Sequence, residues 1–318
     1  MMFHINKFLE KTMAYFIPIS VVIGVLISDY IVDFAWLIPW IFAFMTFAGS
    51  LNSNFASFKD AVLHPLPIFV TLTILHIIMP LVSLGIGHLM FPGETLTITG
   101  MVLAMAIPTG ITSFVWVAIS KGNNVLALTI ILIGALLSPV IVPLTLDLLV
   151  GGTVEINAVG MMLGLLWTIV IPSIAGMILN QVTKGKVVDI LSARLSPFSK
   201  LGMSIVVMLN GAVVAPYLLE ENYRLIGLGI VVIIISILGY VFSFLAGKLL
   251  KQEKVTVIAM TFTGGMRNIS AGVVLATTYF QPAVAIPVVL GMLFQQVLAS
   301  IFKGFLQRYY DKLDQQED

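Results

Sequence analysis

Ten apolar segments of about the length that crosses a lipid bilayer occupy almost the whole of this 318-residue chain. A membrane-spanning helix needs about 20 mainly apolar residues, with a range of roughly 17–25. The segments lie at residues 13–28, 34–51, 66–90, 97–119, 124–149, 156–180, 198–219, 224–247, 255–279 and 283–306. Their connections are short except at 181–197, so the sequence predicts an all-α membrane protein with ten transmembrane helices.

The composition agrees with a membrane protein and excludes several kinds of site. The chain is 59% hydrophobic and 10% charged, whereas a soluble domain is about 45–50% apolar and about 25% charged. It has no cysteine, which excludes disulfides, thiolate metal sites and cysteine nucleophiles. Four scattered histidines and a net charge of +1 without a basic cluster give no sign of a metal site or of nucleic-acid binding. We expect the lipid bilayer as a partner, no nucleic acid, no metal and no cofactor; the oligomeric state stays open.

The positions of lysine and arginine predict how the chain is oriented. Cytoplasmic loops of membrane proteins carry an excess of these residues. Of the 16 basic residues, 14 fall at the chain ends or in every second loop, which leaves Arg224 on the other side and Arg267 inside a span. The sequence therefore predicts a multi-pass protein of the plasma (inner) membrane with both termini in the cytoplasm.

The chain also contains a weak internal repeat. Five spans is an odd number, so a second set of five enters the membrane from the opposite side, as an inverted repeat requires. Pro18 and Pro172 each lie in an Ile-Pro step followed by a glycine, and they are 154 residues apart. We predict two five-helix inverted repeats, with spans 1–5 and span 6 in residues 1–180 and the remaining spans in residues 181–318. Chance coincidence is the alternative.

The ninth segment contains two features that a lipid-facing helix tolerates poorly. Gly264 and Gly265 are adjacent near its centre, and Arg267 follows them. Glycine lowers helix stability by roughly 1 kcal/mol relative to alanine, and an arginine at mid-membrane costs at least about 2.5–3.5 kcal/mol. Non-helical backbone is tolerated at that depth only within protein or beside a cavity. The pattern predicts a broken helix that lines a protein-enclosed cavity.

The fourth segment carries a second interruption at the corresponding place. Pro108 removes a backbone donor and clashes with the preceding turn, and Gly110 lets the chain change direction. A simple proline kink, stabilised by nearby threonine and serine hydroxyls, is the alternative. Paired interruptions in the two halves of a chain indicate a transporter site. If the two segments cross, their half-helix N-termini direct free N–H groups into one space, which suits an anion.

The two interruptions supply the candidate site residues. The predicted substrate-binding residues are Thr109, Gly110, Thr112, Ser113, Gly265, Arg267 and Asn268. The candidates for ion or proton coupling are His76, Thr263 and Met266. Two alternatives stay open: Arg267 is a structural residue bonded to helix carbonyls, and His76 is an inert core histidine. Gln295 and Gln296 reach either the cavity or another helix.

Together with the ten spans, several short motifs resemble the bile acid:sodium symporter family over nearly the whole chain. These motifs are Met79-Pro80, Pro108 through Ser113, Lys121-Gly122-Asn123, Ser138-Pro139 and Gly265-Met266-Arg267-Asn268. The resemblance implies a panel domain of spans 1, 2, 6 and 7, a core domain of spans 3–5 and 8–10, and crossing of the broken spans 4 and 9. It also implies alternating-access transport of an organic anion, with Asn268 hydrogen-bonded to the substrate.

The chain departs from the family at the positions that the resemblance assigns to sodium. The family has Ser-Asn where this chain has Ser113-Phe114, and Glu-Val-Gly-Met-Gln-Asn where this chain has residues 263–268. Other family ligands fall at Leu75, Ala127 and Ile131. Hard cations need several oxygen ligands, and an arginine keeps its positive charge. We predict transport that does not depend on sodium, with Arg267 in the place of one bound cation.

The leading hypothesis is therefore a secondary active transporter of a small organic anion: a carboxylate, either bile-acid-like or of the pantothenate or oxo-acid type. One alternative is an ordinary sodium:organic anion symporter that holds sodium mainly through backbone carbonyls. A remote alternative is an integral-membrane enzyme. Since the sequence has no clustered catalytic carboxylates or histidines and no metal motif, we predict that it is not an enzyme. The anion carried, the direction of transport and the coupling ion stay open.

Overall fold

A computed structural model describes residues 19–52, 65–220 and 222–317, and these residues contain helices and no β-strand. The helices are α1 (Ser28–Ser50), α2 (Pro65–Met90), α3 (Thr95–Ala106), α4 (Ile111–Ile119), α5 (Asn124–Val150), α6 (Ala158–Val182), α7 (Ala193–Glu220), α8 (Asn222–Leu249), α9 (Lys254–Gly265), α10 (Ile269–Tyr279) and α11 (Ala285–Glu317). Residues 19–26 are also helical. The all-α prediction is confirmed for the part of the chain described.

Seven of the described helices are long and apolar enough to cross a membrane, namely α1, α2, α5, α6, α7, α8 and α11. Helices α3 and α4 pass the same test of length and composition only as a pair, which is bent at the break between them. The ninth predicted span corresponds to α9 and α10, and part of the first, residues 13–18, lies outside the described residues. The count of ten spans and the inverted repeat therefore stay predictions.

Two of the long helices contain a widened π turn directly before a proline. In α2 the turn is Ile74–Ile78 and precedes Met79-Pro80. In α6 it is Leu166–Val170 and precedes Ile171-Pro172. Proline has no N–H and crowds the carbonyl four residues earlier, and π turns are frequent at functional sites. The first of these turns carries His76.

The buried apolar side chains form two clusters, and the interrupted segments lie where the clusters meet. The first joins helices from the whole chain, including Phe42 of α1, Leu165 of α6 and Val214 of α7. The second takes its described buried residues from α2, α4, α5, α8, α9, α11 and the segment after α9. Ile107, in the break after α3, belongs to the first cluster and Met266, in the break after α9, to the second.

Candidate functional site

The fourth predicted span is broken between α3 and α4, which meet at an angle of 54°. Helix α3 ends at Ala106, and Ile107 is extended with a ψ of 139°. A residue that precedes proline is driven out of the helical region by contact with the proline ring. Gly110 is also extended and forms the N-cap of α4. The interruption thus falls at the predicted residues.

The ninth predicted span is broken between α9 and α10. Helix α9 ends at Gly265, and Met266 is extended with a ψ of 152°. Asn268 caps α10, because its side-chain Oδ1 accepts a hydrogen bond from the Ala271 N–H at 3.4 Å. Asparagine is among the preferred N-cap residues. This break has the same local form as the first: a helix end, an extended residue and a new helix start.

The two breaks contact one another through their backbones. The Asn268 N–H donates a hydrogen bond of 2.8 Å to the carbonyl of Pro108. A Cβ placed on Gly110 would lie 3.1 Å from the Cα of Asn268, which is closer than most Cβ atoms approach another atom. A larger residue at position 110 would therefore push the two breaks apart. The N-termini of α4 and α10 therefore meet at one point inside the protein.

The guanidinium of Arg267 lies at this point and binds carbonyls of both broken spans. Its Nη1 donates to the carbonyls of Gly264 at 2.8 Å and Met266 at 3.2 Å, and its Nε donates to that of Met105 at 3.2 Å. These carbonyls lie at helix C-termini, which carry partial negative charge. Only 2% of the residue is exposed, and Nη2 has no hydrogen-bond partner among the described residues. The guanidinium thus has a structural role and one unused donor group.

The other predicted substrate-binding residues differ in accessibility. Thr109 and Ser113 are buried; the Thr109 hydroxyl donates to Ser113 Oγ at 3.2 Å, and Ser113 donates to the Gly110 carbonyl at 2.7 Å. Thr112 and Asn268 are partly exposed. The structure therefore brings Gly110, Arg267 and Asn268 together and leaves the side chains of Thr112 and Asn268 accessible.

The three predicted coupling residues are all buried but lie in different settings. The Thr263 hydroxyl donates to the Ala259 carbonyl at 2.7 Å, within its own helix. Met266 contributes its backbone carbonyl to Arg267. His76 lies opposite Gly134 of α5, where an added Cβ would be 3.9 Å from His76 Nε2 and 3.4 Å from the Pro108 Cβ. The His76 side chain therefore reaches the neighbourhood of the break in span 4.

Two adjacent glutamines of α11 form hydrogen bonds with the two broken spans. Gln295 Oε1 accepts a hydrogen bond of 2.9 Å from the backbone N–H of Arg267. Gln296 Oε1 accepts one of 3.0 Å from Nε1 of Trp116 in α4. Gln295 therefore binds the break between α9 and α10, and Gln296 binds α4. Sequence reasoning identified them as unusual polar residues in an apolar span but did not assign their partners.

The glycine pair at the end of α9 also lets this helix pack closely against α8. Sequence reasoning did not predict this contact. A Cβ on Gly264 would overlap Ser243 Oγ, and one on Gly265 would overlap the ring of Tyr240. That ring is stacked on Phe302 with centroids 4.3 Å apart. Tyr240 and Ser243 are among the few polar side chains in the apolar part of α8, but the sequence does not show that they meet the end of α9.

Two interrupted helices that meet inside a multi-pass helical protein are typical of secondary transporters. A family model described as the Sodium Bile acid symporter family matches residues 39–221. This match covers more than half of the chain, and the chain belongs to that family. The family is one of transporters, so the protein is a membrane transporter and not an enzyme.

Three relatives extend the comparison over most of the chain. A Bacillus subtilis (strain 168) protein, uncharacterized protein YbaS, is 50% identical over 92% of this chain and 95% of its own length. Uncharacterized sodium-dependent transporter YocS of the same organism is 29% identical over 89% of this chain and 87% of its own. Probable sodium/metabolite cotransporter BASS1, chloroplastic, of Arabidopsis thaliana is 25% identical over 95% of this chain and 76% of its own.

Proposed function

We propose that this protein is a secondary active transporter of a small organic anion that works by alternating access without an obligatory sodium ion. The observation that carries the proposal is the position of the Arg267 guanidinium between carbonyls of both broken spans. A permanent cation already occupies oxygen atoms that would otherwise attract a free one. Arg267 therefore takes the place of one coupling cation.

The electrostatics of the crossing favour an anionic substrate. Two helix N-termini, those of α4 and α10, meet beside a guanidinium with an unused Nη2. Helix N-termini bind anions through free N–H groups and the positive end of the helix dipole. Among the described residues no acidic side chain forms an ion pair with Arg267. A carboxylate reaching the crossing thus meets a guanidinium that no described acidic side chain pairs.

The two hydrophobic clusters support division into the proposed panel and core domains. The second cluster draws its described residues only from helices of the proposed core, whereas the first also includes residues of α1, α6 and α7 from the proposed panel. In secondary transporters, alternating access is largely the rigid-body rocking of one helix bundle against the other around a fixed site. Movement of the panel against the core is the step that we propose exposes the crossing to each side in turn.

Ordinary sodium symport is a second candidate, and the names of the relatives favour it. YocS is named as sodium-dependent and BASS1 as a sodium/metabolite cotransporter. In this alternative, sodium binds the Ser113 hydroxyl and nearby carbonyls, and Arg267 leaves the crossing in another conformation. In the favoured proposal, by contrast, transport is coupled to protons through His76 or proceeds by simple exchange, and sodium drives neither.

A thermal-shift screen of the purified protein against carboxylates, with and without sodium, tests the proposed substrate class. A ligand at 100 times its dissociation constant stabilises the native state by about 2.7 kcal/mol. We expect at least one carboxylate to raise the melting temperature equally in sodium and in choline salts. Stabilisation that appears only in sodium would support the second candidate, and stabilisation by cationic solutes alone would contradict both.

Asn268→Ala should lower transport more than tenfold, because Asn268 is an accessible polar side chain at the crossing and caps α10. Loss of an N-cap costs about 1 kcal/mol of stability, so the change in transport should exceed the change in stability. Asn157→Ala is the matched control, since Asn157 caps α6 through the same contact, with the Gly160 N–H at 2.8 Å. Equal effects of the two variants in proteoliposome uptake would contradict a substrate role for Asn268.

Single cysteines should report the proposed orientation, since the native chain contains none. Gly152 is exposed, and a side chain there meets no atom within 4 Å; Lys186 is exposed on a loop predicted to lie on the other side. In intact cells a membrane-impermeant maleimide should label Gly152→Cys and should not label Lys186→Cys until the membrane is permeabilised. The reverse pattern would invert the proposed topology.

A further inference from the structure

The last helix, α11, has an exposed apolar stripe that the transport site does not use. Its inward face packs into the second cluster through Leu298, Phe302, Leu306 and Tyr310. On the outward face, the exposed fractions are 57% for Val297, 58% for Ile301 and 43% for Phe305. Residues four apart lie on one side of a helix, so these three side chains form a continuous row that faces lipid.

The stripe runs directly into two basic residues, Arg308 and Lys312. Both are exposed, and neither forms an ion pair with a described residue. At a rise of about 1.5 Å per residue, roughly 35 Å of helix separates Ala285 from Arg308. The hydrocarbon core of a bilayer is about 30 Å thick. If α11 begins at one membrane surface, Arg308 and Lys312 lie at the headgroups of the opposite one.

A cavity lies on the surface of α11 between the apolar stripe and the two basic residues. A Cβ added to Gly304 would meet no atom within 4 Å. The cavity beside it has a volume of about 610 Å³ and is lined by Ser300, Ile301, Gly304, Phe305, Arg308, Tyr309 and Lys312. The groove therefore has apolar walls at one end and two cations at the other.

Neighbouring helix ends add positive charge to the polar end of the groove. Lys248 Nζ, near the end of α8, lies 5.2 Å from the ring centroid of Tyr309. Lys254 Nζ, at the start of α9, lies 5.1 Å from that of Tyr310. Glu253 and Asp311 are exposed acidic residues at the same end, but the basic residues outnumber the acidic residues whose side chains are described. Positive charge is therefore in excess among the side chains that the structure describes at this end of the groove.

We propose that this groove binds an anionic phospholipid, with its phosphate at Arg308 and Lys312 and an acyl chain along Ile301 and Phe305. Basic residues next to a membrane span attract anionic lipid headgroups. The apolar wall distinguishes a lipid from a free phosphate, which would make no use of it. Gly304 leaves room for the glycerol backbone between the two parts of the ligand.

Native mass spectrometry of the purified full-length protein with added phosphatidylglycerol or phosphatidylcholine tests the proposal. We expect preferential binding of phosphatidylglycerol, and about 30-fold weaker binding in Arg308→Gln/Lys312→Gln, because each basic residue near the surface contributes about a factor of five. Lys184→Gln/Lys186→Gln is the matched control, an exposed basic pair in the loop after α6. It should bind phosphatidylglycerol as the native chain does.

Gly304→Leu tests the apolar part of the groove with all charges retained. It fills open space and replaces a poor helix former by a better one, so it should keep or raise the melting temperature while it weakens phosphatidylglycerol binding. Three results would overturn the proposal: equal binding of the two lipids, a loss as large in the lysine control as in the Arg308/Lys312 variant, or a protein dimer that Gly304→Leu dissociates. The last would assign the groove to a second copy of the chain.

Discussion

Uptake of a carboxylate substrate into proteoliposomes should be unchanged within about twofold when sodium is replaced by potassium or choline, because Arg267 repels a second cation. Two unit charges 4 Å apart interact by about 4 kcal/mol at an effective dielectric of about 20. The guanidinium is held in the crossing by Met105, Gly264 and Met266 carbonyls. A strict sodium requirement at fixed pH would show that Arg267 does not replace a coupling cation.

Arg267→Gln should make the same protein sensitive to sodium. The substitution removes the tethered charge and leaves the carbonyls of Met105, Gly264 and Met266 short of donors, at a cost on the order of 1–3 kcal/mol for each unsatisfied group. Sodium can then bind these oxygens and restore part of the lost stability. The melting temperature and the uptake rate of the variant should both rise when sodium is added and should not change when choline is added.

Arg267→Lys is the matched control, because it keeps the positive charge and changes only the geometry of the donors. Lysine offers a single ammonium in place of the planar fork of the guanidinium. Its melting temperature should fall, and sodium should not restore it. If both variants respond equally to sodium, the response does not depend on the charge at position 267.

The breaks in the helices were predictable because their causes are local. Proline excludes the helical conformation from the preceding residue, and Ile107 is extended as this requires. Adjacent glycines and an arginine near the centre of the ninth segment predicted the second break, and α9 ends at Gly265. The hydropathy pattern likewise gave the positions of the long helices, since bilayer thickness fixes their length.

The partners of the polar groups were not predictable, because they depend on which helix faces meet. The Arg267 side chain binds Met105, which is 162 residues away, and its backbone binds Gln295. A coupling role for Thr263 stays a prediction, but its hydroxyl has a local partner that the sequence did not specify. A threonine in a helix can bond the carbonyl one turn earlier, and Thr263 does so with Ala259.

Gly264→Ala should abolish transport and lower the stability of the folded protein. The added methyl group would overlap Ser243 Oγ and lie 2.8 Å from Ser243 Cβ, which is closer than carbon atoms approach. Overpacking of this kind typically costs about 1–3 kcal/mol. Because the carbonyl of Gly264 also binds Arg267 Nη1 at 2.8 Å, a shift of α9 that relieved the overlap would also displace the guanidinium.

Ser243→Gly should rescue Gly264→Ala, since it removes both of the atoms that the methyl group meets. The next neighbour, Thr71 Cγ2, would lie at an ordinary 3.6 Å. Residues in contact show interaction energies of about 0.5–3 kcal/mol in double-mutant cycles, so the double variant should melt above Gly264→Ala. Gly291→Ala is the control for adding a methyl group to a membrane helix, because its Cβ would lie 3.7 Å from Ile269 and Val232. Equal losses of transport in Gly264→Ala and Gly291→Ala, without rescue by Ser243→Gly, would mean that the contact between α8 and α9 does not position the crossing.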